Sequence, residues 1–111
     1  MNKIRIGKEQ AIQRIRHFCA YQERAQQEVR DKLYELGMTK SEVEEIISDL
    51  ITDNFLNEER FANLFTGGHF RIKQWGKSKI QYALQQKRVS QVNIKKALKT
   101  ITFKTIPFFF V

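Results

Sequence analysis

Apolar residues recur in steps of three and four along this chain: Ala11, Ile15, Phe18 and Cys19; Val29, Leu33 and Leu36; Val43, Ile46, Ile47 and Leu50; Phe61, Leu64 and Phe65. At 3.6 residues per turn each set makes one apolar stripe, so each stretch predicts an amphipathic helix with a single face to bury. The punctuation agrees. Gly37 ends the second helix, where a residue without Cβ adopts the left-handed conformation at least cost, and Thr39 opens the third with Glu42 three residues on, the pattern of a capping box. Asn57, followed by Glu58 and Glu59, opens the fourth by placing a side-chain oxygen and negative charge near the exposed amides of a first turn. Strand signals are weak, and an all-α chain of six helices is expected.

The pattern repeats at an offset of 51 residues: Val29, Leu33, Met38, Thr39, Val43, Ile46, Ile47 and Leu50 fall on Ile80, Leu84, Val89, Ser90, Ile94, Ala97, Leu98 and Ile101. This predicts a single domain, 1–111, made of two tandem three-helix units, 8–53 and 57–101, each burying part of its face against its neighbour. An atypical apolar tail, 102–111, follows; its β-branched and aromatic residues and Pro107 argue against a long helix there. Gly67 and Gly68 interrupt the fourth helical pattern, each at a cost of about 1 kcal/mol relative to Ala. Gly68 falls on the stripe of Phe61, Leu64 and Phe65, which is explained by close approach of another helix or by a kink.

Chemistry-bearing constellations are absent from the pattern. His17 and Cys19 lie about 200° apart on a helix, unsuited to one metal ion, and His69 stands alone in a basic stretch. Glu58 and Glu59 are adjacent and diverge, which fits first-turn residues better than an acid and base pair. No enzyme activity, cofactor, metal or small-molecule ligand is expected. The one cysteine cannot form an internal disulfide, and the longest apolar run, Pro107 to Val111, is far short of the roughly 20 residues of a membrane span. With no apolar signal segment at the N-terminus either, a soluble cytoplasmic protein without a membrane partner is expected.

Charge is distributed unevenly. Residues 1–24 hold six basic and two acidic residues, residues 25–66 four and ten, and residues 67–111 ten and none. At the 51-residue offset Glu35, Glu42, Glu44, Glu45 and Asp49 are replaced by Gln86, Asn93, Lys95, Lys96 and Thr100, so the scaffold repeats while its outer face turns from acidic to basic. A solvated surface normally mixes both signs; an acid-free stretch points to a polyanionic or acidic partner, with a solubilising face as the plainer alternative. The candidate binding residues are Arg71, Lys73, Lys77, Lys79, Lys87, Arg88, Lys95, Lys96 and Lys99. On the sixth helix the stripe of Ile94, Ala97, Leu98 and Ile101 sends Lys95, Lys96 and Lys99 outward. Trp75, among Arg71, Lys73, Lys77 and Lys79, is placed either to stack on a base or to roof the joint between the fourth and fifth helices.

Three motifs carry a family resemblance. Asp53-Asn54-Phe55-Leu56-Asn57-Glu58-Glu59-Arg60-Phe61-Ala62 is similar to the L-(N/D)-(D/E)-E-R-F-A signature of the RecX family, regulators of the RecA recombinase. Gln74-Trp75-Gly76-Lys77-Ser78-Lys79-Ile80, with Tyr82 to Lys87, resembles that family's G-x-x-x-I-x-x-x-L-x-x-K stretch, and Glu28-Val29-Arg30-Asp31-Lys32-Leu33 its E-L-R-x-K-L. The resemblance covers about residues 8–101. It implies a non-enzymatic helical-repeat protein whose partner is the RecA filament, bound along its groove to restrain ATP hydrolysis and strand exchange, with single- or double-stranded DNA as a further contact. The alternative is a sequence-tolerant DNA-binding helical module. Members usually continue into a third three-helix unit where this chain has its tail, which predicts weaker inhibition. Arg88 stands where the family pattern has Gly, which predicts a strained or differently capped turn.

Overall fold

The computed structural model describes residues 6–105, with side chains through residue 101; the Phe108 to Val111 tail lies outside the described residues. Six helices follow one another: α1 (Lys8–Tyr21), α2 (Gln26–Glu35), α3 (Lys40–Thr52), α4 (Glu58–Arg71), α5 (Lys77–Gln86) and α6 (Gln91–Thr105). No strand occurs among the described residues. The chain forms two compact units, Met1–Asn57 and Glu58–Val111. α6 runs four residues into the stretch expected to stop it, all of them ahead of Pro107.

In the first unit α1, α2 and α3 close around Ala11, Ile15, Cys19, Val29, Leu33, Val43, Ile46, Ile47 and Leu50, with Leu36, Met38 and Leu56 filling the ends. Fully burying one such aliphatic side chain is worth about 1.5–3 kcal/mol, so this stripe outweighs any single surface contact. The turns are set by hydrogen bonds. Gly37 has φ 92°, and behind it the Met38 N–H donates to Leu33 O at 3.1 Å, which brings buried Met38 back onto the core. Thr39 and Glu42 form the expected box: the Thr39 N–H donates to Glu42 Oε1 at 2.9 Å and the Glu42 N–H to Thr39 Oγ1 at 3.3 Å.

The second unit repeats this framework at the predicted offset. α5 begins and ends 51 residues after α2, Ile80, Leu84, Val89, Ile94, Ala97 and Ile101 are buried at the expected places, and Val89 N–H donates to Leu84 O at 3.1 Å as Met38 does to Leu33. Leu98, at the repeat position of buried Ile47, is half-buried.

The α4 stripe needs correction. Leu64 is 59% exposed, and the buried side of α4 is Phe61, Ala62, Thr66 and Gly67. Gly68 is not a point of close approach, since a Cβ there would meet nothing within 4 Å. At Gly67 a Cβ would come within 2.5 Å of the Arg71 guanidinium, which therefore lies back along its own helix. The physical reason is size. Thr66 and Ala97 stand where the first unit has Ile15 and Ile46, and these smaller side chains let α4 lie closely along α6, the most extensive helix pairing of its unit.

A candidate polyanion interface on the second unit

The division at Asn57 and Glu58 redraws the charge map. The first unit holds nine basic and ten acidic residues, so it is near neutral rather than acidic, and the second holds eleven basic and two acidic. In the first unit several cations are neutralised locally. Arg30 donates through Nε and Nη2 to the two Glu44 oxygens at 2.9 and 3.2 Å, which holds Glu44 below the usual carboxylate range and raises Arg30. Lys8 pairs with Glu45 at 2.6 Å, which raises the lysine, and Arg16 pairs with Asp53 at 3.4 Å.

The second unit has no such supply of carboxylates, and Glu58 is already engaged. Its Oε1 accepts from Asn93 Nδ2 at 2.6 Å and from the Ser90 N–H at 3.3 Å. Ser90 in turn accepts from the Asn93 N–H at 3.4 Å, as Thr39 does from Glu42. Asn93 replaces the acid of a capping box, so the missing oxygen comes from the first residue of α4 instead of the first turn of α6. The sequence pattern read Glu58 only as a first-turn residue. The signal for its second role is the absent acid three residues after Ser90.

The nine candidate cations fall into three places within this unit. Lys95, Lys96 and Lys99 are exposed on α6, opposite Ile94, Ala97 and Ile101, with Lys95 and Lys99 one turn apart. Arg71, Lys73, Lys77 and Lys79 are exposed around the joint between α4 and α5. Lys87, half-buried, and Arg88, exposed, form the turn between α5 and α6. Arg88 keeps the cap seen at Gly37 but holds φ 61°, a left-handed backbone disfavoured for a residue with Cβ. Among the described residues none of Arg71, Lys73, Lys77, Arg88, Lys95, Lys96 and Lys99 is in an ion pair.

Trp75 both packs and remains accessible. It is half-buried, with its ring centroid 4.5 Å from His69 and 6.5 Å edge-on from Phe65, while His69 stacks on Phe65 at 3.9 Å. The Lys79 ammonium sits 4.4 Å from the Trp75 ring centroid. The joint therefore presents an aromatic column topped by a cation. No helix among the described residues is long and apolar enough to cross a membrane.

Comparison with known proteins matches both units. The model described as RecX, first three-helix domain, matches residues 11–50, and that described as RecX, second three-helix domain, matches residues 57–98. A regulatory protein RecX of Prosthecochloris aestuarii is 32% identical over 80% of this chain and 59% of its own length. One from Clostridium perfringens is 35% identical over 61% of this chain and 31% of its own. The chain thus spans between about a third and three fifths of these two relatives. The crystal structure of RecX from Lactobacillus salivarius superposes with a TM-score of 0.79 at 23% identity, covering 85% of this chain and 61% of that one.

Proposed function

The chain belongs to the RecX family, and from that premise we propose that it is a regulatory protein that binds the RecA filament on DNA and restrains its activity. The observation that carries this reading is the outer row of α6, where Lys95, Lys96 and Lys99 are exposed in a unit with eleven basic and two acidic residues. DNA within a recombinase filament is a polyanion, and lysines carried on a rigid helix meet it without any reordering of their backbone. Arg71, Lys73, Lys77 and Lys79 add a second point of attachment at the α4 and α5 joint, with Lys87 and Arg88 a third. The role is one of binding.

The test is a titration of ATP turnover by DNA-bound recombinase. Turnover is expected to slow at amounts of this chain below one per recombinase, at a salt concentration that releases the chain from bare duplex. Unchanged turnover, together with duplex binding that weakens with a log–log salt slope of about −0.9 per neutralised phosphate, would assign it instead as a sequence-tolerant DNA-binding module.

A further inference from the structure

The first unit carries an open groove of about 490 Å³ between the outer face of α1 and α2, lined by Gln13, Arg14, His17, Phe18, Tyr21, Arg24 and Lys32. Arg14, Arg24 and Lys32 are basic, His17 adds an imidazole, and no carboxylate lines it. Elsewhere in the unit Lys8, Arg16 and Arg30 are paired with acids, whereas of the groove's cations Lys32 alone is in such a pair, with Glu35.

Its centre is an organised stack. The Arg24 guanidinium lies 3.6 Å from the centroid of the Phe18 ring, and its Nε donates to the Phe18 backbone oxygen at 2.9 Å, which fixes the plane over the ring. Lys32 approaches the same ring at 5.9 Å while pairing with Glu35 at 3.1 Å. Tyr21 is 77% exposed, a large ring left in water beside a cation. In the second unit the same repeat position holds Trp75, which closes on His69 as Arg24 closes on Phe18. There the ring is covered in turn by the Lys79 ammonium, 4.4 Å away; in the first unit the stack ends in a guanidinium lining an open groove.

A guanidinium held over an aromatic ring, an exposed tyrosine ring and flanking cations are the elements that bind an unpaired base together with its phosphate. We propose that this groove is a binding site for single-stranded nucleic acid, with a base stacked on the Arg24 plane or on Tyr21 and the adjoining phosphates met by Arg14, His17 and Lys32. A strand fits better than a free nucleotide because the groove is open to solvent, whereas sites for small ligands enclose most of the ligand surface. The site is built wholly from residues of the first unit and does not depend on the filament reading.

The test uses the full chain and two fluorescein-labelled strands of equal length, an oligothymidylate and its abasic counterpart, followed by anisotropy. The second unit's cations attract both strands alike, so the difference between them reads the contribution of bases. Wild type is expected to prefer the oligothymidylate. Tyr21→Ala and Arg24→Ala should each weaken that strand roughly ten- to hundredfold and leave the abasic strand far less affected. Arg24→Lys, which keeps the charge and loses the plane, should fail to restore the preference. Tyr21 is a surface side chain, so its truncation keeps the test valid should Arg24→Ala unfold the unit. Equal binding of the two strands, an unchanged preference in Tyr21→Ala, full rescue by Arg24→Lys, or displacement of the strand by thymidine monophosphate at matched nucleotide concentration would each overturn the proposal.

Discussion

Glu58 accepts a hydrogen bond from Asn93 at 2.6 Å, linking the first residue of α4 to the first turn of α6. The same oxygen accepts from the Ser90 N–H, one of the donors that a helix start leaves without an intrahelical partner. Glu58→Ala is expected to lower the stability of the second unit by about 1–2 kcal/mol, the range for loss of a cap or a charged hydrogen bond. Urea unfolding followed by Trp75 fluorescence reads this directly, since the one tryptophan lies in that unit. In a double-mutant cycle the loss should overlap with that of Asn93→Ala; full additivity would mean the contact contributes nothing.

Arg88 has φ 61° at the place where Gly37 has φ 92°. A residue with Cβ in this conformation carries a strain of about 1–2 kcal/mol that glycine avoids, offset by glycine's freer unfolded chain. Arg88→Gly should therefore raise the urea midpoint by the equivalent of up to about 1 kcal/mol, while Arg88→Val should lower it.

Thr66 is fully buried, and its hydroxyl has no hydrogen-bond partner among the described residues. The equivalent position in the first unit is Ile15, also fully buried, so the framework accepts an apolar side chain there. Thr66→Val keeps the shape and removes the unpaired oxygen, which should stabilise the second unit by about 1 kcal/mol. The same midpoint measurement checks it.

The surface of α6 tests the functional reading at a named place. Reversing Lys95, Lys96 and Lys99 to Glu should leave the helical circular-dichroism signal intact, because all three side chains lie in solvent. It should abolish the slowing of recombinase ATP turnover. Full inhibition by the triple variant would remove this helix from the contact.

Cys19 supplies a pH signature for the first unit. Its thiol, 6% exposed, is pushed up to about 11 by burial. In the unfolded chain it ionises near 9, so its contribution is complete below pH 9 and is lost as pH rises through 11. The loss should approach about 2–3 kcal/mol. Cys19→Ala should flatten that part of the stability profile relative to wild type, and parallel profiles would show that the thiol is not linked to folding.

The framework was legible because burial on a helix follows spacing. Val29 and Ile80, Leu33 and Leu84, and Val43 and Ile94 are all fully buried, as the matched intervals require. Turn chemistry was equally plain at Gly37 and Thr39. Leu64 was misread because apolarity marks only one way to make a helix face. Beside Phe61, the face that α4 buries is built from Ala62, Thr66 and Gly67, small residues that leave no hydrophobic period to follow.

The candidate site divides similarly. Lys95, Lys96 and Lys99 could be placed outward because an apolar stripe on the same helix fixes the opposite face. The capping role of Glu58 joins residues 35 positions apart, and no local interval encodes such a pairing. The Arg24 and Phe18 stack was hidden for a different reason: its guanidinium comes from a connection between helices, where side-chain direction has no period at all.

The 51-residue register gives the molecule an internal twin for nearly every framework position. A solvent or temperature change that acts on the bare helical scaffold should disturb both copies to a similar degree. An agent that reads surface chemistry meets two unlike halves, one with several cations closed in ion pairs and one with Lys95, Lys96 and Lys99 exposed. Spectroscopic labels placed at paired sites would therefore sort binding from unfolding within a single sample, each copy serving as the reference for the other.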